Sequence, residues 1–191
     1  MKNVICFFGS FNPVHFGHLK MAKFLLGTSL FDEVLIVLSN NPAKVNNPDM
    51  ASFDHRLNML NLGIKSMGLE GKVLVSVIEK DRYPSYTYDT LKILEETYPD
   101  KKFNLAIGSD LIKKVNIWRN SKKLLSEFKI YVMDRYESGI DKTKFNHLVF
   151  LNTPVFECSS TDVRNNILKG VSVDNMIPIE IEDYIKNNKI Y

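Results

Sequence analysis

Short runs of β-branched and aromatic residues alternate along the chain with longer segments in which apolar residues recur three and four positions apart. Runs of the first kind read as strands and segments of the second as amphipathic helices. The pattern predicts strands from Val4 to Phe8, Glu33 to Leu38, Lys72 to Ile78, Phe103 to Ile107, Lys129 to Met133 and His147 to Leu151. It predicts helices from His18 to Leu26, Phe53 to Met67 and Thr87 to Tyr98. Pro178 opens a further amphipathic stretch, IEIEDYIKNN, that reads as a last helix with proline in its first turn. Strand cores such as VLIVL are apolar without alternation, which fits burial on both faces. The expected fold class is α/β, with a largely parallel sheet. The stretches from Ser39 to Asp49 and from Arg135 to Lys144 read as loops after strands, a common place for ligand contacts.

At 191 residues the chain is expected to be one domain, and 45% hydrophobic with 25% charged residues is a globular composition. The net charge of +3 is too small to point to nucleic acid, although a local anion site fits it. Cys6 and Cys158 lack a CxxC partner, so neither a disulfide framework nor a zinc site is expected. The first residues, MKNVICFFGSFNP, carry an apolar run too short for a signal peptide, and no stretch reaches the roughly 20 apolar residues of a membrane span. A cytoplasmic protein with neither membrane nor nucleic-acid partners is the expectation, and oligomeric state stays open.

The chemistry concentrates in Gly9-Ser10-Phe11-Asn12-Pro13-Val14-His15-Phe16-Gly17-His18, which follows the first strand and runs into the first helix. A strand's carboxyl end meeting a helix N-terminus is where open α/β sheets bind ligands, and the free N–H groups there favour phosphate. Gly9 lets backbone approach a ligand, and Gly17 keeps a side chain out of its way. His15 and His18, three apart, are expected on one helix face, where two imidazoles can stabilise charge on a transferring phosphate. Spacing alone also fits a plain strand-turn-helix with cap and surface histidines. A second segment, Cys158-Ser159-Ser160-Thr161-Asp162-Val163-Arg164, reads as another helix start, with hydroxyl and N–H donors and an arginine fork one turn on. On its own it also fits an ordinary cap beside a solvated arginine.

Together these segments resemble the nucleotidylyltransferase superfamily, the first its GxFxPxHxGH signature and the second its SSTxxR-like element that grips the β- and γ-phosphates of ATP. Arg82-Tyr83-Pro84-Ser85-Tyr86-Thr87, Ile107-Gly108-Ser109-Asp110, Ile117-Trp118-Arg119, the run SFDHRLNML and the final IPIEIEDYIKNNKIY narrow the resemblance to bacterial nicotinate-nucleotide adenylyltransferases. Those enzymes join ATP and nicotinate mononucleotide into deamido-NAD and pyrophosphate. The resemblance implies a Rossmann-like, doubly wound sheet with a small C-terminal helical segment. It implies His15, His18 and Arg164 as catalytic groups. The ATP site it implies adds Gly9, Ser10, Phe11, Gly108 and Asp110, the last on ribose hydroxyls, together with Ser159, Ser160 and Thr161. For the mononucleotide it implies Ser10, Lys44 near the phosphate, backbone at Tyr86 and Thr87 near the carboxylate, and Trp118 stacked on the pyridine ring. Asn12 stands where the family more often has Asp, Ala43 where a histidine is common, and Cys158 where a branched apolar residue is usual.

A mononucleotide phosphate, with a second pKa near about 6, is largely a dianion at neutral pH and attacks without a general base. Catalysis then reduces to in-line positioning and stabilisation of the departing pyrophosphate. Mg2+ is expected with ATP, held by phosphates and water rather than by a protein cage. Two alternatives remain at this level: an adenylyltransferase for nicotinamide mononucleotide or phosphopantetheine, and a catalytically silent nucleotide sensor or RNA-binding module.

Overall fold

A computed structural model describes residues 1–40, 49–135, 141–154 and 157–191. Its strands are β1 (Lys2–Gly9), β2 (Glu33–Leu38), β3 (Val73–Ser76), β4 (Lys101–Gly108), β5 (Ile130–Arg135) and β6 (Val149–Thr153). They form one sheet in the order β3-β2-β1-β4-β5-β6, and every neighbouring pair is parallel. The chain builds outward from β1 to β3, crosses back, and builds outward again from β4. The topological switch point, where doubly wound sheets open a crevice, therefore lies between the carboxyl ends of β1 and β4.

The helices are α1 (Phe16–Gly27), α2 (Phe53–Ser66), α3 (Thr87–Thr97), α4 (Ile112–Val115), α5 (Ser121–Glu127), α6 (Ser160–Leu168) and α7 (Ile179–Asn188). Strand alternation sorts them into two layers. Ile5, Val34 and Ile36 meet Leu19 of α1, Leu60 of α2, Val163 of α6 and Ile181 of α7 on one face. Val4, Cys6, Val37 and Leu105 meet Leu91 of α3, Ile112 of α4 and Leu124 of α5 on the other. Burial on both faces is the physical reason that VLIVL shows no period of two. Each such aliphatic side chain contributes about 1.5–3 kcal/mol when fully removed from water.

The structure departs from the sequence expectation at element ends and at two short helices. β3 stops at Ser76 instead of Ile78, because Lys80 N–H donates to the Val77 carbonyl at 2.9 Å and closes a turn. Pro178 sits at the N-cap of α7, one position before the predicted place. α4 and α5, with 4 and 7 residues, are too short to display a helical period. Of the two predicted loops, residues 41–48 and 136–140 lie outside the described residues, and Lys142–Phe145 forms a 3-10 turn. Among the described residues, no helix is long and apolar enough to cross a membrane.

Candidate active site

The β1–α1 connection is shaped by Phe11, whose φ of 47° is left-handed and turns its ring back over Gly9. A Cβ on Gly9 would lie 2.8 Å from the Phe11 ring. The ring thus fills the place a side chain at position 9 would take, while Gly9 itself lines the cavity described below. Phe11 is 2% exposed and packs edge-on against Phe7 at 5.6 Å and His18 at 4.9 Å.

His15 is not inside α1 but caps it. His18 N–H donates to His15 Nδ1 at 3.4 Å, and His15 N–H donates to His18 Nδ1 at 3.3 Å, a reciprocal capping box built from two imidazoles. The expected shared helix face is replaced by direct stacking, with ring centroids 3.7 Å apart. Because each Nδ1 accepts a backbone proton, the neutral form of each ring carries its own proton on Nε2. The pair is thereby set as two Nε2–H donors at the positive end of α1.

The second motif docks onto the first. Ser159 caps α6 by accepting from Asp162 N–H at 3.1 Å. Ser160 Oγ donates to the Pro13 carbonyl at 2.9 Å, and Arg164 Nη1 donates to the Asn12 carbonyl at 2.7 Å. Segments about 150 residues apart in sequence thus bring two helix N-termini, two histidines and an arginine to one place. Thr161 is exposed on the first turn of α6. Asp110 lies on the 3-10 turn Ser109–Leu111 at the carboxyl end of β4, across the switch point, with its carboxylate folded over the bare Cα of Gly108.

Asn12, the departure from the usual Asp, has specific work for its amide. Its Nδ2 donates to the Asp49 carbonyl at 2.8 Å, and its Oδ1 accepts from Ala51 N–H at 2.9 Å and from the Tyr191 hydroxyl at 2.6 Å. A carboxylate could not donate to Asp49, so the asparagine fits this loop. Burial pushes the Tyr191 phenol well above its ordinary value, opposed in part by Arg164 and Arg56. Cys158 is half-buried with its Sγ near the Met176 carbonyl, and burial raises its thiol pKa, as for a packed residue.

Beside this cluster, next to Gly9 and Ser10, lies a cavity of about 460 Å3. Ser10, Asn40, Arg56, Tyr86, Thr87 and Trp118 are among the residues that line it. Tyr86 is the N-cap of α3 and makes no side-chain capping bond. The opening N–H groups of α3 are thus uncapped by it, a natural seat for a carboxylate. The Arg119 guanidinium stacks over the Tyr86 ring at 4.7 Å and holds the cavity wall. Trp118 packs against the core and also lines the cavity. Lys44 and Ala43 lie outside the described residues.

Arg56 has no role in the sequence reading, yet it is 4% exposed and borders the cavity. It donates from Nε to Ala51 O at 3.1 Å and from Nη1 to Ser10 O at 2.9 Å and Ser39 O at 3.0 Å. Burial pulls its guanidinium below the ordinary range. The available signal was an arginine in register with the buried face of α2, alongside Met59, Leu60 and Gly63. Among the described residues, no group of three His, Cys, Asp or Glu side chains is arranged to hold a metal ion.

Residues 6–166 match the model of the cytidylyltransferase-like family. The chain is 32% identical over 191 residues to a probable nicotinate-nucleotide adenylyltransferase of Bacillus licheniformis, covering 100% of this chain and 99% of that relative. It is 31% identical over 192 residues to the nicotinate-nucleotide adenylyltransferase of Bacillus subtilis, again covering 100% and 99%. In fold it is similar to Plasmodium falciparum nicotinic acid mononucleotide adenylyltransferase complexed with NaAD, with a TM-score of 0.85 at 24% identity over 100% of this chain and 98% of that one. Motif order, sheet topology and full-length similarity agree: the chain belongs to the cytidylyltransferase-like family and, within it, to the nicotinate-nucleotide adenylyltransferases.

Proposed function

We propose that the protein transfers AMP from ATP to nicotinate mononucleotide, giving deamido-NAD and pyrophosphate, a step of NAD biosynthesis. The observation that carries this reading is the meeting of two helix N-termini, His15, His18 and Arg164 beside a separate cavity that ends on the uncapped N-terminus of α3. The cluster of helix N-termini, imidazoles and guanidinium suits a triphosphate. The cavity suits a ring bearing a carboxylate.

A phosphate oxygen of the mononucleotide attacks the α-phosphorus of ATP, and the bond from that phosphorus to the bridging oxygen of pyrophosphate breaks. Nicotinate mononucleotide supplies the nucleophile already deprotonated. The Nε2–H groups of His15 and His18 donate to oxygens whose charge grows in the transition state, and Arg164 with the Ser159–Thr161 turn binds the β- and γ-phosphates. Asp110 accepts from ribose hydroxyls. ATP enters as its Mg2+ complex, in which the ion offsets charge on the phosphates.

At the acceptor end, N–H groups at Tyr86 and Thr87 favour a carboxylate by hydrogen bonding and by the helix dipole. The NH2 of an amide would meet those donors head-on. Pyrophosphate release from ATP, measured with a panel of mononucleotides, tests the reading. Nicotinate mononucleotide is expected to exceed nicotinamide mononucleotide in kcat/KM by up to about 10⁴-fold. Equal values would refute the carboxylate seat, and release only with phosphopantetheine would move the acceptor class.

A further inference from the structure

Arg56 has a counterpart that the proposed mechanism does not use. Glu79 is 2% exposed, in the turn after β3. Its Oε2 accepts from Asn40 N–H at 3.0 Å and from Ser85 Oγ at 2.7 Å, and its Oε1 accepts from Thr90 Oγ1 at 2.7 Å. The carboxylate is thus held by neutral donors, as Arg56 is held by neutral carbonyls. Isolated buried charges of this kind cost several kcal/mol after relaxation unless their surroundings compensate them.

The compensation runs through one peptide bond. Arg56 Nη1 donates to the Ser39 carbonyl at 3.0 Å, and the Asn40 N–H donates to Glu79, so the C=O and the N–H belong to the same peptide group. Its dipole lies with the negative oxygen toward the guanidinium and the positive N–H toward the carboxylate. Each charge is stabilised, and the plane of the peptide is fixed from both sides at the exit of β2. The same side chains reach the other cavity walls. Arg56 holds the Ser10 carbonyl after β1, and Glu79 holds Ser85 and Thr90, which flank Tyr86 and Thr87. Ser10, Ser39, Asn40, Tyr86 and Thr87 all line the cavity.

We infer that Arg56 and Glu79 are positioning residues for the acceptor cavity, acting as a clamp through the Ser39–Asn40 peptide bond. The clamp sets three walls relative to one another before ligand arrives, and preorganisation of this kind lowers the ordering cost of binding. The acceptor assignment rests on the proposed function. The clamp itself rests on the hydrogen bonds.

Glu79→Gln keeps the shape and removes the charge, whereas Arg56→Lys keeps the charge and removes the fork. Steady-state kinetics and the amide exchange rate of Asn40 are measured for both and for the double variant. Each single variant is expected to raise KM for nicotinate mononucleotide about tenfold while moving KM for ATP less than about threefold. The Asn40 amide is expected to exchange at least about tenfold faster in Glu79→Gln. The double variant is expected to fall short of the product of the single effects, because both act on one peptide. Thr90→Val removes one bond from Glu79 and is the milder variant if the others do not fold; an acceptor-specific rise of about threefold in KM is expected for it. A parallel rise in both KM values, or unchanged Asn40 exchange, overturns the clamp. If the unmutated protein does not use nicotinate mononucleotide, the functional reading fails, and Asn40 exchange still decides the clamp.

Discussion

The two ends of the sheet treat buried charge in opposite ways. At the amino end, Glu33 opens β2 and is neutralised directly, by Lys2 Nζ at 2.5 Å and Lys101 Nζ at 2.6 Å. At the carboxyl end, Arg56 and Glu79 are also buried but meet through a peptide group. Direct pairing commits the one carboxylate to two lysines and ties the starts of β1, β2 and β4 together. Separation leaves each charge to orient backbone, and that backbone forms the cavity. The groups to which the proposed function assigns ligand contacts gather at the same carboxyl end: His15, His18, Arg164, Asp110 and the start of α3. If the proposed function holds, the contrast separates an end that ties strands together from an end that binds, and substitutions at each should fall on different observables.

The largest effect is expected at the histidine pair. His18→Ala removes one donor aimed at developing charge and should lower kcat by about 10²–10³-fold with little change in ATP affinity. His15 and His18 also cap α1, so a frayed helix would lower turnover as well. His15→Asn separates the two, since asparagine is a good N-cap that offers no Nε2–H. It should keep the thermal midpoint near that of the unmutated protein while kcat falls. Turnover retained in His15→Asn would reduce this residue to a cap and break the division between the ends.

Arg164→Ala comes next. A charge-assisted contact to phosphate contributes about 1.5–3 kcal/mol, so KM for ATP should rise at least about tenfold, with the acceptor affected less. Arg164 also holds the Asn12 carbonyl, and Asn12 in turn holds residues 49 and 51, so some loss of thermal stability should accompany the kinetic change. A greater effect on the mononucleotide would reverse the assignment of the two halves.

Much of the carboxyl end is legible in the sequence because its chemistry is contiguous. The first motif packs ten informative residues into one strand-turn-helix, and the second marks a helix start by its hydroxyls. The doubly wound sheet is legible because strands buried on both faces are uniformly apolar. The clamp is not legible for the opposite reason. Glu79 finds its partners 39, 6 and 11 residues away, and nothing local distinguishes it from a solvated glutamate. Arg56 is visible as a charge on the buried face of α2, but its acceptors are backbone carbonyls, which carry no sequence signature. The capping box of imidazoles is hidden similarly: HxGH spacing suggests two residues on one helix face, whereas the first of them stands before the helix and folds its ring onto the second.

The smallest effect should come from the amino end, and it should spare the chemistry. Hydrogen bonds from Lys101 and then Lys2 hold the Glu33 carboxyl below its ordinary value of 4.5. A carboxylate whose pKa is lower folded than unfolded contributes stability that is fully present above the unfolded value and is lost as pH falls through the folded one. Glu33→Gln should therefore lower the urea midpoint at neutral pH, and the gap to the unmutated protein should narrow below pH 4.5 and close below the folded pKa. Both lysines reach solvent, which screens the pairs, so the loss should be no more than about 1 kcal/mol and should shrink in high salt. With the strand starts so far from the ligand groups, kcat and both KM values should be unchanged at neutral pH. A fall in kcat or a rise in either KM would show that charge at the two ends is coupled through β1 and β4, and the separation of stability from binding would not stand.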